Sequence, residues 1–108
     1  MTGRGAQRKG RSGENELAKV LQEMGYQVHR SSAPYLDGST APDLEGLPGV
    51  HIECKRCETL KPTAWLTQAA ADARTGELPA VFFRPNRGSW SVMMSLPEWL
   101  KLYERGRS

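Results

Sequence analysis

Two acidic side chains and one amine are the residues in this chain best suited to chemistry. Pro42-Asp43 lies before a turn-rich stretch, and Glu53-Cys54-Lys55 lies after it. Val50-His51-Ile52-Glu53-Cys54-Lys55 alternates apolar and polar residues, the period of a half-buried strand. Alternation puts Val50, Ile52 and Cys54 on one face and His51, Glu53 and Lys55 on the other. Between the two acids, Glu45-Gly46-Leu47-Pro48-Gly49 is rich in turn formers and would fold Asp43 back beside Glu53. Two hard carboxylate ligands suit Mg²⁺ (or Mn²⁺), which takes one or two carboxylates and keeps several waters. A lysine beside such an ion can orient a water or offset charge building on a phosphoryl group. The chemistry implied is metal-dependent hydrolysis of a phosphodiester. A surface hairpin with an ordinary Glu/Lys pair is the plain alternative, and the tripeptide alone favours it.

The rest of the composition narrows the setting. At 108 residues the chain forms one domain with a single modest core. A 38% hydrophobic and 25% charged composition is that of a soluble globular protein. No apolar run approaches the roughly 20 residues of a membrane helix, and no apolar stretch follows the basic N-terminus as in a signal peptide. A cytoplasmic protein with no membrane partner is expected. Cys54 and Cys57 form Cys-x-x-Cys, but His29 and His51 do not complete a zinc site at a recognisable spacing, so two reduced thiols are expected. The net charge is +3 with a pI near 9.1. Arg4, Arg8, Lys9 and Arg11 cluster at the start with no acid among them, so residues 1–11 read as a basic flexible arm for nucleic-acid phosphates. A solvated tail that aids solubility is the alternative for that arm.

Residues 12–108 supply the elements that must hold the site. Ser12 is placed to cap a helix, with Glu14 and Glu16 in its first turn. Leu17, Val20, Leu21 and Met24 follow at helical spacing, and Gly25 ends it. Glu14 extends the apolar stripe, whereas Glu16 and Glu23 fall on the solvent side. Tyr26 to Arg30 reads as a strand, and residues 31–41 as a long loop of a kind that is often functional. A second helix opens at Lys61-Pro62-Thr63 and runs to about Thr75, with Leu66, Ala69, Ala70 and Ala73 facing the sheet and Gln68, Trp65 and Asp72 on another face. Pro79 to Arg84 is a buried strand, Trp90 to Met94 another, and Ser95 caps a last helix whose Trp99, Leu100 and Tyr103 are expected to pack inward. This order gives an α/β sandwich with a mixed central sheet flanked by helices.

Pro42-Asp43 and Glu53-Cys54-Lys55 resemble the motif of the PD-(D/E)xK nuclease superfamily, which has a restriction-endonuclease-like fold. Arg8-Lys9-Gly10, Glu14-Asn15-Glu16-Leu17, Gly25-Tyr26-Gln27-Val28 and Arg30-Ser31-Ser32-Ala33 add a more specific likeness, to the N-terminal half of archaeal-type Holliday-junction resolvases. The resemblance implies that Glu14 joins the metal site from the first helix and that the Cys54 carbonyl is a third protein ligand. It implies that Gln68 faces the metal, and that Ser31 or Ser32 lies near the scissile phosphate with Arg30 beside it. It also implies branched DNA as substrate and a homodimer. The inserted Pro34-Tyr35-Leu36-Asp37-Gly38 departs from the resolvase pattern.

The mechanism expected on this basis uses Asp43, Glu53, the Cys54 carbonyl and Glu14 for the ion, with Lys55 at the attacking water or the transition state. Three rivals stand beside it. Pro42-Asp43-Leu44, Glu53-Cys54-Lys55 and Gln68 are also similar to small phage VRR-type nucleases of other specificity. The domain could bind DNA without cutting it. The Cys54/Cys57 pair could be a redox centre.

Overall fold

The computed structural model describes residues 3–31 and 41–107, with side chains from Ser12 onward. Helix α1 (Gly3–Glu23) leads into short strands β1 (His29–Arg30) and β2 (Leu44–Glu45) and then the long strand β3 (Val50–Arg56). Helix α2 (Pro62–Asp72), strands β4 (Leu78–Arg84) and β5 (Ser91–Met93), and helix α3 (Leu96–Gly106) complete the chain. The sheet runs β1-β2-β3-β4-β5. β3 and β4 are parallel and the other pairs antiparallel. The parallel pair needs a crossover, and α2 supplies it.

β3 lies at the centre of the sheet, and this overturns its reading as a half-buried strand. Ile52 is fully buried on one face; His51 and Glu53 are buried on the other. Leu17 and Ala18 of α1 form a core cluster with Val28, Leu44 and Ile52. Burying each of Leu17, Leu44 and Ile52 contributes about 1.5–3 kcal/mol of transfer free energy. On the opposite face, α2 packs Trp65 and Ala69 on Val81, with the Trp65 and Phe83 rings 6.2 Å apart. The inward stripe of α2 is therefore Trp65 and Ala69, one turn apart, and Ala70 is exposed. The large ring fills the space beside the sheet, and the small alanine lets the helix close on it.

Helix α1 begins at Gly3, so Ser12 lies inside it, and residues 3–11 of the span expected to be a flexible arm are helical backbone. Extending a helix that already exists needs no new nucleus, and Ala6, Gln7, Arg8, Lys9 and Arg11 are good or fair helix formers. The face α1 turns to the sheet is set by Gly13, which is buried. A Cβ there would sit 2.7 Å from Arg56 Cγ. Glu16, one turn on from Gly13, therefore meets the sheet instead of solvent. It accepts hydrogen bonds from Arg84 Nη1 and from Trp90 Nε1 (3.0 Å), and Arg56 Nε is 3.8 Å away. Met24, expected in the apolar stripe, is exposed.

The first strand is shorter than its apolar pattern suggests and is an edge, with Tyr26 exposed. Gly46 pins the β2–β3 turn against the segment before β1. Its φ is 127°, and a Cβ would lie 2.3 Å from the Gln27 carbonyl oxygen. The largest departure is α3. Trp99, Leu100 and Tyr103 are half-exposed, and the helix has no buried residue. Only part of its apolar surface meets the sheet, beside a cavity of about 360 Å³ lined by Leu47, Val50, Ala80, Phe82, Val92 and Leu102, among others. Among the described residues, no helix is long and apolar enough to cross a membrane.

Candidate active site

Asp43 and Glu53 meet across the β2–β3 hairpin. Leu44 pairs with Ile52, and Asp43 N–H donates to the Ile52 carbonyl at 2.9 Å. The hairpin therefore lays Asp43 alongside residues 52–54 of β3. Cys54 N–H donates to Asp43 Oδ2 at 2.7 Å, which fixes the aspartate side chain over the strand. The two carboxyl groups lie near enough for the charge of Glu53 to act on Asp43.

Burial pushes the Asp43 carboxyl up to about 7, and the negative charge of Glu53 adds to the rise. The Cys54 N–H bond pulls the other way, while the charge of Glu14 raises it further. Like charges this close resist joint ionisation without a cation between them.

Glu53 is only 4% exposed, and His51 is completely buried beside it. Strand alternation puts the two on one face, and His51 Nε2 is 2.6 Å from Glu53 Oε1. The other ring nitrogen, Nδ1, has no hydrogen-bond partner among the described residues; Glu77 Oε1 lies 3.7 Å from it. Burial lowers the imidazole's proton affinity, but the bond to Glu53 and the charges of Glu53, Glu77 and Asp72 outweigh it, and its pKa is raised.

Lys55 follows on the same face, and its ammonium donates to Gln68 Oε1 at 3.3 Å. Strand β3 and helix α2 thus bring together the lysine and the glutamine that the sequence singled out. Glu14 is held by Arg30 Nε at 3.1 Å and reaches Asp43 through its charge. Ser31 N–H donates to the Asp43 carbonyl at 3.2 Å, while its hydroxyl is buried without a partner among the described residues. The side chains of Arg4, Arg8, Lys9 and Arg11, and all of Ser32 and Asp37, lie outside the described residues.

The cysteines separate. Cys54 packs on the α1 side of the sheet and Cys57 on the α2 side, as residues three apart on an extended chain should. Both are free, and burial pushes the Cys54 thiol up to about 12. A redox pair needs adjacent sulfurs and a thiolate, so that rival fails.

Two contributors escaped the sequence. Strand alternation already puts His51 on the face of Glu53, yet in the sequence it figures only as a zinc ligand and has no part in the site. Glu16 was assigned to solvent because the close approach at Gly13 is not visible in a hydrophobic pattern.

The donor set fits a hard divalent cation: two neighbouring carboxylates, Asp43 and Glu53, with the Cys54 carbonyl on the same strand as Glu53. Among the described residues, no group of three or more His, Cys, Asp or Glu side chains is arranged to hold a metal ion. A cation here would therefore rely on two side chains, backbone and water, as Mg²⁺ commonly does.

Comparison with known proteins gives a family and a fold. Residues 5–107 match the model of a family described as "Phage putative PDDEXK endonuclease". The fold is similar to Hjc from Archaeoglobus fulgidus, a Holliday junction resolvase from an archaeal hyperthermophile, with a TM-score of 0.54 and 19% identity over 77% of this chain and 74% of that one. No curated protein matches in sequence.

Proposed function

Since the chain belongs to the phage PDDEXK endonuclease family, we propose that it is a Mg²⁺- or Mn²⁺-dependent DNA endonuclease that selects branched DNA and acts as a homodimer. The observation that carries the reading is the hairpin that fixes the Asp43 carboxylate on β3 beside Glu53, in a setting that raises the Asp43 pKa to about 7. Asp43, Glu53 and the Cys54 carbonyl would hold the ion, with Glu14 adding negative charge from the rim. When bound, the ion supplies Lewis-acid polarisation of the scissile phosphate and activation of a water.

The chain's own groups do the positioning. The Cys54 N–H bond keeps Asp43 turned toward Glu53. Lys55, steadied by Gln68, points its ammonium to where charge develops on the phosphoryl oxygens or where the attacking water must sit. Arg30 lies at the β1 edge with Ser31 beside Asp43, and together with Arg4, Arg8, Lys9, Arg11 and Ser32 it would meet the DNA backbone. The apolar surface of α3 and β5 is the face a second copy would cover.

Branched DNA is favoured by the fold shared with a Holliday junction resolvase. A phage nuclease of other specificity is the second reading, favoured by the family match. A panel of a four-way junction, a flap, a linear duplex and single strands, each with Mg²⁺ and with chelator, tests all of this. The expected result is Mg²⁺-dependent cutting with the junction preferred. Equal cutting of linear duplex removes the branched-DNA reading and leaves the nuclease. Binding with no cutting under any metal leaves only a DNA-binding module.

A further inference from the structure

We infer that His51 is a positioning residue, which holds the Glu53 carboxylate in the orientation that binds the cation. The inference rests on the reading of Glu53 as a metal ligand. Its basis is the geometry behind the site, where His51, fully buried, puts Nε2 2.6 Å from Glu53 Oε1. An ionised carboxylate only accepts, so the proton between them belongs to Nε2. Oε1 is thereby engaged from behind, and Oε2 remains for the cation.

The imidazole is itself braced. β3 and β4 run parallel with His51 beside Pro79, which has no N–H to offer. Glu77, just before β4, lies with Oε1 3.7 Å from His51 Nδ1. That oxygen is fixed in turn by the Arg74 backbone N–H at 2.9 Å. The ring therefore sits between an acid anchored in a turn and an acid of the site.

A histidine serving only to fill space would be surrounded by apolar groups or a carbonyl; this one is flanked by carboxylates. Glu53 has several rotatable bonds and a like-charged neighbour in Asp43. His51 makes the hydrogen bond that holds the Glu53 side chain among the described residues, so without the imidazole that restraint on rotation away from Asp43 is lost. Partners standing behind metal ligands orient them in this way, and losing one typically costs about 10–100-fold in metal affinity or activity.

The test uses the full chain and Mn²⁺ as probe, with free Mn²⁺ counted by electron paramagnetic resonance in the absence of DNA. Cleavage against Mn²⁺ concentration is measured in parallel. His51→Leu should weaken Mn²⁺ binding by about 10–100-fold, with cleavage largely restored at saturating metal. His51→Gln keeps an N–H donor and should bind Mn²⁺ close to the wild type. Glu53→Gln is the control and should lose binding. Wild-type Mn²⁺ affinity in a folded His51→Leu, alongside loss in Glu53→Gln, overturns the positioning role and spares the site. Undiminished Mn²⁺ binding in Glu53→Gln would remove the reading beneath the inference. If His51→Leu does not fold, Glu77→Leu decides. A several-fold weaker Mn²⁺ affinity supports the bracing, and an unchanged affinity in that variant overturns it.

Discussion

Strand β3 and helix α3 sort their residues in opposite ways. At the centre of the sheet, β3 buries His51 and Glu53, with Asp43 against them, while α3 leaves Leu96, Trp99, Leu100 and Tyr103 in solvent. Burying a carboxylate is costly unless it is paired, and β3 offsets the cost with an imidazole and a backbone N–H. Among the described residues, the sheet covers only part of α3, and on its exposed side Trp99 and Tyr103 stack with centroids 5.5 Å apart while Arg107 lies over the Tyr103 ring. Stability alone favours neither arrangement. The first is built around charge that a cation would neutralise; the second leaves an apolar stripe that the proposed second copy would cover.

Breaking the charged region should produce the largest effect. Asp43→Ala should abolish cleavage, and Lys55→Ala should reduce kcat by about 10²–10³-fold, as removal of a single electrostatic stabiliser does. Both should retain the wild-type circular dichroism spectrum. Next comes pH. Asp43 must lose its proton to bind a cation, and its carboxyl sits at about 7. At sub-saturating Mg²⁺, cleavage should therefore fall by about tenfold per unit as pH drops below that value. Raising Mg²⁺ should move the fall to lower pH.

The apolar region gives a smaller effect of another kind. Trp99→Glu or Leu100→Lys should leave folding within about 0.5 kcal/mol, as surface changes usually do, yet shift sedimentation from dimer to monomer. Wild-type protein sedimenting as a monomer at cleavage-competent concentrations would break the comparison.

The smallest effect concerns stability. The folded state raises the Asp43 pKa from 3.8. Its stabilising contribution is thus complete below about pH 4 and is lost as pH rises through about 7. Metal-free Asp43→Asn should accordingly melt a few degrees above the wild type at pH 8, with the gap closing by pH 4. Mg²⁺ should stabilise the wild type and leave the variant unchanged.

Much of this was legible in the residues because its causes are local. Glycine and proline around Leu47 mark the hairpin that brings Asp43 to Glu53. Alternation in β3 assigns the shared face of Glu53 and Lys55, and helical spacing finds α2 with Gln68. Long-range causes were not legible. That His51 and Glu53 are covered follows from α2 folding over them, and an alternating pattern reads the same whether its polar face meets water or buried partners. The inward turn of Glu16 depends on Gly13 approaching Arg56. Amphipathic spacing in α3 marks an apolar stripe without saying whether the cover is the chain's own sheet or another surface.

The opposite orientations of Cys54 and Cys57 have a practical consequence. With the Cys54 thiol up at about 12 and the chain's other thiol on the opposite side of the sheet, a maleimide dye at neutral pH should attach at Cys57. That residue directly follows β3, just past Lys55, so a native fluorophore position already exists for timing DNA arrival.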